Sequence, residues 1–394
     1  MTGTRREVRT RSERLRVAAL YSGGFLGPFG GALVASMLPE MGDSLGISTG
    51  SASSSLTAYL LPFALTMLVS GTLGARWGRL RTVRIAYGVY TLASIVCALA
   101  PTLQILLAAR VVQGCGNAFT TPLLLATLAA ATPRERLGRV LGTFGALQAA
   151  GQTSAPLVGG VAAQFDWRYA FVVLAVVSAV LGLVGLPRTD DATSAAPRER
   201  LRDALRPHVV RIGLVALLGW GALGGLNFML AYRAEDVFGL NAPQRGVLLT
   251  VFGLTGILTA RAVGRLIDRL GSGRTVVVGA VAGAALVAVA GTAPALWAVG
   301  VAWALAGVAS QFVLVGVNAA VLGGGANRGG AVSVVQAFRF SGAALAPLAL
   351  TPLYLVRPAA GFLVPALLLA VVAPIAMPRA APPDRGSTPA VSSS

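Results

Sequence analysis

Two arginines and a small set of amides interrupt apolar runs that would otherwise be continuous. Arg110, Gln113 and Asn117 recur at i, i+3 and i+7, which places them on one face of a helix. Gln148 and Gln152 stand one turn apart, Gln336 precedes Arg339 by about a turn, and Gln311 and Asn318 share a face seven residues apart. Asn227 lies in a further apolar run. A guanidinium carries five N–H donors and a permanent charge, and an amide both donates and accepts. Such groups can hold a polar or anionic organic molecule, but they cannot supply a nucleophile or a general base. The side chains that could do so are scarce. Cys97 and Cys115 lie in apolar segments without metal-ligand spacing, and His208 is the only histidine. No HExxH or GxSxG is present. The inventory builds no zinc site, disulfide framework or Cys–His pair, so neither an enzyme nor a cofactor is expected.

The acids lie at the margins of the apolar runs. Glu40, Asp43, Asp166, Glu235 and Asp236 fall at one set of helix ends, and the remaining nine of the fourteen lie on the opposite side. None is mid-run. Proton-coupled transport ordinarily uses an embedded ionisable group. Asp43 and Asp236, at equivalent places in the two halves, are the candidates for a proton site; the competing reading is that both are solvated loop charges.

The elements that must position these residues follow from composition. Of 394 residues, 55 % are hydrophobic and 12 % charged, about half the roughly 25 % charged of a soluble protein. Mean hydropathy is +0.74. These values exclude a disordered chain and a soluble enzyme. A span of ~20 apolar residues crosses ~30 Å of hydrocarbon. That ruler predicts twelve: 17–39, 52–73, 82–100, 103–128, 138–162, 168–187, 209–232, 244–263, 275–293, 295–320, 331–354 and 358–377. The fold class is therefore an all-α membrane protein. The first run is too long for the apolar part of a signal peptide, so it is expected to be retained.

The net charge of +18 comes entirely from arginine, since the chain contains no lysine. Arginines crowd alternate connections, as at Arg5–Arg16, Arg76–Arg84, Arg134–Arg139, the segment after Arg188, and Arg261–Arg274. The other side has only Arg168, Arg233, Arg245 and Arg357. The positive-inside rule makes the crowded side cytoplasmic, so both termini are expected there. Arginines dispersed between spans also argue against nucleic-acid binding.

The halves repeat. An offset of 193 carries Asp43–Gly46 onto Asp236–Gly239, Arg76 onto Arg269, Gly78 onto Gly271 and Gly114 onto Gly307. The constant register through three spans predicts two six-helix bundles at 17–187 and 209–377. A basic segment at 1–16, a linker at 188–208 and a disordered Pro/Ser-rich tail at 378–394 complete the organisation. Parallel repeats of this kind suit a transporter with a site near mid-membrane between them.

After the second span the chain reads Gly71-Thr-Leu-Gly-Ala-Arg76-Trp-Gly78-Arg79, and the second half answers with Gly264-Arg-Leu-Ile-Asp268-Arg269-Leu-Gly271. The fourth span carries Arg110-Val-Val-Gln113-Gly114, and the fifth Gly151-Gln-Thr-Ser-Ala155-Pro156-Leu-Val-Gly159-Gly160. Phe165-Asp-Trp-Arg168 opens the sixth. In order and position these resemble the motifs of the major facilitator superfamily, and most closely its twelve-spanner drug:proton antiporters.

The resemblance implies two pseudo-symmetric bundles working by alternating access. It makes the two loop motifs a conformational latch, in which an aspartate meets the N-terminus of a helix from the other half. Ala75 replaces that aspartate in the first copy, so a one-sided latch through Asp268 is expected. The fifth-span motif is expected to kink at Pro156 and to pack a small-residue face on the other half. The implied function is proton-coupled efflux of a small organic compound by a monomer in a bacterial plasma membrane. Its partners are substrate, protons and lipid. With two embedded arginines and no embedded acid, a neutral or anionic amphipathic substrate is expected. The alternative is an importer or facilitator of a small anionic or neutral metabolite.

Overall fold

The computed structural model describes residues 11–186, 206–322 and 328–377. Among these residues the chain is helical, without strands. The N-terminal half comprises α1 (Arg11–Ala32), α2 (Leu38–Leu45), α3 (Thr49–Ala52), α4 (Ser54–Trp77), α5 (Arg79–Leu99), α6 (Leu103–Asn117), α7 (Thr120–Ala130), α8 (Arg134–Phe165) and α9 (Arg168–Val184). The C-terminal half comprises α10 (Pro207–Ala222), α11 (Asn227–Asp236), α12 (Ala242–Leu270), α13 (Ser272–Thr292), α14 (Leu296–Leu322), α15 (Arg328–Val356) and α16 (Pro358–Ala376). Most of the basic N-terminal segment, the linker and the tail lie outside the described residues.

Among the described residues, nine segments are long and apolar enough to cross a bilayer by length and composition. The other three predicted spans are also helical, each with a local reason for falling short. The fourth is divided into α6 and α7 because Pro122, in the first turn of α7, has no N–H to return to Ala118. The fifth, α8, is 32 residues long but carries Gln148, Gln152 and several glycines. The sixth, α9, is apolar but only 17 residues long. Large apolar side chains such as Leu183, Leu258, Val356 and Ile375 stand on the outer surface, as lipid-facing positions require.

The repeat seen in the sequence reappears as backbone geometry. Gly46 and Gly239, 193 residues apart, end α2 and follow α11 with φ of 63° and 62°. Gly78 and Gly271 stand at φ 89° and 80° in the tight connections α4–α5 and α12–α13, a region that L side chains rarely adopt. Close helix approaches repeat as well. A Cβ on Gly114 would run into the carbonyl oxygen of Tyr59, and one on Gly307 into that of Phe252, again at the same offset. Gly151 on α8 meets Phe25 of α1, and Gly342 on α15 meets Leu217 of α10 in the same manner. Each half thus lets helix backbones touch where small residues permit it.

The halves are tied at the arginine-poor end. Tyr232 donates to the Thr49 carbonyl at 2.7 Å, Thr57 to the Ala344 carbonyl at 2.5 Å, and the hydroxyls of Ser53 and Thr351 lie 3.4 Å apart. Gly160 and Gly246 bring α8 and α12 together near the same end, against Ala242 and Pro156 respectively. Toward the arginine-rich end Gly142, Gly145 and Gly264 of these helices make no such approach, and each faces open space, with no atom within 4 Å of where a Cβ would stand.

Candidate functional site

The polar residues singled out by their spacing separate into two clusters. The first is sealed inside the N-terminal half. Arg110, Gln113 and Asn117 are all buried, at 0 %, 0 % and 3 % exposure, and α6 turns this face toward α1, α4 and α5. Arg110 Nη1 donates to Gln113 Oε1 at 2.6 Å and to the Gly30 carbonyl at 3.3 Å, and Nε donates to the Ser55 carbonyl. Its guanidinium carbon lies 4.1 Å from the Tyr59 ring centre. Gln113 donates to Ser94 Oγ, while Asn117 donates to the Tyr59 hydroxyl and the Gly27 carbonyl. The predicted stripe therefore exists, but it does not open on a space between the halves. It bonds the bundle to itself through backbone carbonyls of α1 and α4, with Arg110 Nη2 buried and left without a partner.

The second cluster lies in the C-terminal half, where α10, α14 and α15 enclose a narrow cavity. Trp220, Val313, Val317, Asn318, Gln336 and Arg339 contribute to its wall. Arg339 places its guanidinium carbon 4.5 Å from the Trp220 ring centre and 4.4 Å from that of Phe340. Phe340 in turn meets Phe63 of the other half edge-on at 4.9 Å. Arg339 Nε and Gln336 Oε1 are buried without a hydrogen-bond partner. The salt bridges among the described residues belong to Arg168 and Arg245, so none of the described acids pairs with Arg339 or with Arg110.

The remaining amides are scattered. Gln148 and Gln152 are half-buried on α8. Gln311 lies against Gly256 of α12. Asn227 donates to the Gly224 carbonyl at 3.1 Å and leaves its own Oδ1 buried and unpaired. In the loop motifs, Gly71 and Gly74 of α4 lie near Pro122 and Leu123 of α7, Arg79 is buried at the start of α5, and Arg76 and Arg269 are exposed. The side chains of Ala75 and Asp268 lie outside the described residues. The fifth-span motif divides its contacts. Gly151 and Gly159 pack on α1 and Leu33 of their own half, and Gly160 on Ala242 of the other. Ala155 is fully buried, and Ser36 donates to the Pro156 carbonyl at 2.7 Å.

The two repeat-related aspartates differ in setting. Asp43 is exposed in the last turn of α2, whereas Asp236 accepts from the Tyr354 hydroxyl at 2.9 Å. Between them stands a group that sequence spacing did not single out. Arg245, in the first turns of α12, is buried. It pairs with Glu40 of the other half, lies 3.6 Å from Glu235, and donates to the carbonyls of Ser36 and Leu240. Asn241-Ala-Pro-Gln244 forms a capping box that starts the helix and agrees with the span 244–263, but no local signal points to Glu40 as the partner of Arg245. Trp220 and Phe340 gave no signal either, because aromatic residues are ordinary in an apolar span.

Comparison with known proteins adds the following. The family model described as Major Facilitator Superfamily matches residues 20–347. The methylenomycin A resistance protein of Streptomyces coelicolor is 32 % identical over 169 residues, 42 % of this chain and 35 % of that protein. The drug efflux pump JefA of Mycobacterium tuberculosis is 29 % identical over 192 residues, 48 % of this chain and 38 % of that protein. The matches thus span little more than a third of these relatives. Among solved structures, a point mutant of the nucleoside transporter NupG superimposes with a TM-score of 0.74 at 13 % identity, over 92 % of this chain and 98 % of that one.

Proposed function

Because this chain belongs to the Major Facilitator Superfamily, we propose that it is a secondary transporter working by alternating access, which exports a small neutral or anionic amphipathic compound in exchange for protons. The observation that carries this reading is the asymmetry of the contact between the halves. They are bonded at the arginine-poor end, while Gly142, Gly145 and Gly264 at the other end face open space. With the arginine-rich end in the cytoplasm, this asymmetry supports a cleft that opens inward, the state that loads an exported substrate. Export is supported by partial similarity to a resistance protein and a drug efflux pump.

In this reading the bundles 17–187 and 209–377 rock about the cleft in a bacterial plasma membrane, with both termini cytoplasmic and the chain acting as a monomer. The substrate meets polar side chains from both halves, Gln148 and Gln152 on α8 opposite Gln311, Gln336 and Arg339, with Asn227 beside them. Arg110, Gln113 and Asn117 hold the N-terminal wall in shape. Gly71, Arg76, Gly78 and Arg79, with Gly264, Asp268, Arg269 and Gly271, form the latch that closes the cytoplasmic end. Proton exchange involves the arginine-poor end, where Asp43 and Asp236 lie near the Glu40–Arg245 pair.

The test is the purified protein in liposomes with an imposed pH gradient, screened against a compound panel while internal pH is read. Uptake or release of a compound with a coincident pH change is expected. Transport without a pH change overturns the coupling, and absence of transport across the panel overturns the reading.

A further inference from the structure

We infer that Glu235 is a positioning residue for alternating access, the carboxylate that takes over the Arg245 guanidinium when the arginine-poor end opens. The inference rests on the transport reading and names the working part of that end. Among the described residues, Arg245 and Glu40 form the ion pair that joins the two halves. The neighbouring charges are bonded within their own half. Arg168 meets Asp166, Ser44 and the Ala100 carbonyl, Arg233 donates to the Ala293 carbonyl, and Asp236 accepts from Tyr354. Asp43 is exposed on α2.

Arg245 instead divides its donors between the halves. Nη2 and Nε face the N-terminal half, on Glu40 and the Ser36 carbonyl. Nη1 faces its own half, donating to the Leu240 carbonyl at 2.9 Å, with Glu235 Oε2 at 3.6 Å. That last separation is within ion-pair range but beyond a hydrogen bond, so Glu235 stands by while Glu40 holds the charge. The Arg245 side chain is only 2 % exposed, and a buried guanidinium stripped of its carboxylate is strongly disfavoured. When the halves part, Glu40 and Ser36 leave with the N-terminal half, whereas Glu235 and Leu240 stay beside Arg245. Glu235 is then the acid within reach. The tie is also releasable, because Glu40 Oε2 is buried without a partner, a cost that ends once water reaches it. Two carboxylates thus compete for one guanidinium, one favouring the closed end and the other the open end.

The experiment reads opening, with no substrate present. In a Cys97→Ala/Cys115→Ala background, Ser53→Cys places a thiol at a buried site between the halves, beside Thr351. Ser51→Cys places one at an exposed site nearby as the control. The maleimide labelling rate of Ser53→Cys relative to Ser51→Cys, in purified protein at neutral pH, reports the open fraction. Glu40→Gln is expected to raise this ratio at least ~10-fold. Glu235→Gln is expected to lower it roughly two- to fivefold, since this side chain is 39 % exposed, and Glu235→Asp to lower it less. A ratio raised or unchanged by Glu235→Gln overturns the inference, as does one lowered or unchanged by Glu40→Gln. Where a Gln variant fails to purify, the Asp variant at the same position is read in its place, with the same sign expected. Transport in liposomes alongside effects of one sign keeps the transport reading and removes the role of Glu235. Labelling of Ser51→Cys with none of Ser53→Cys in any variant means that the end stays shut, which overturns alternating access as well.

Discussion

Arg110 and Arg339 are both arginines inside membrane spans, and the two halves of the molecule treat them in opposite ways. Arg110 on α6 is wholly buried and meets two backbone carbonyls, a glutamine and the Tyr59 ring. Arg339 on α15 is half-buried at a cavity, rests on two rings, and has no anion. Arg110 is bonded into its own bundle through Nε and Nη1, with only Nη2 buried without a partner. Arg339 is held by rings, with its Nε buried without a partner. The residue type is the same in both cases, and the neighbours differ.

The contrast is most easily broken by removing each guanidinium in turn. Arg110→Ala leaves Gln113 Oε1 and the carbonyls of Gly30 and Ser55 without their donor. A loss of about 3 kcal/mol or more is expected, seen as a collapse of the thermal midpoint in detergent. Arg339→Ala loses only its ring contacts, about 0.5–1 kcal/mol. Equal destabilisation by the two would remove the distinction.

The next test asks whether the difference lies in the side chains or in the packing of their helices. Gly114 follows Arg110 by a turn and Gly342 follows Arg339 by three residues, and each lets a neighbouring backbone approach closely. Gly114→Ala and Gly342→Ala should therefore cost about 1–3 kcal/mol alike, whereas Gly264→Ala, which faces open space, should not destabilise. A smaller effect is expected for Tyr59→Phe. It deprives Asn117 of the hydroxyl acceptor at 2.6 Å and should cost about 1 kcal/mol in the same thermal assay. An unchanged midpoint would mean that the Arg110 network is looser than its distances indicate.

The smallest effect concerns the ends of the halves rather than their interiors. Ala75→Asp restores a carboxylate to the first loop motif, where interaction with a helix N-terminus contributes about 0.3–1 kcal/mol, roughly a two- to fivefold shift in population. Cysteine labelling from the arginine-rich side should fall accordingly. Unchanged accessibility would argue against the latch.

Much of the fold could be read from residue order. The spans of 20 or so apolar residues, the alternating arginines and the constant 193-residue register required nothing beyond local composition. Several helices begin and end within a few residues of expectation, as at 358–377 against Pro358–Ala376, whereas the first ends at Ala32 instead of 39 and the seventh breaks between Ala222 and Asn227. The site was less legible. The stripe Arg110–Gln113–Asn117 was correctly read as a stripe, but helical periodicity reports which residues share a face and not what that face meets. Arg245, at the edge of the predicted span 244–263, counts in the sequence only toward the charge of one side, whereas in the structure it is a buried tie between the halves, because its partner Glu40 lies 205 residues away in the chain.

What the chain specifies by itself is the set of helices, their symmetry and their charge asymmetry, since each depends on hydrophobicity and hydrogen bonding within a segment. Which arginine bonds to backbone carbonyls and which rests on rings was decided only by tertiary packing. Donors inside a bilayer bond to whatever carbonyl or ring another helix brings within about 3–4 Å, and those neighbours come from distant parts of the chain.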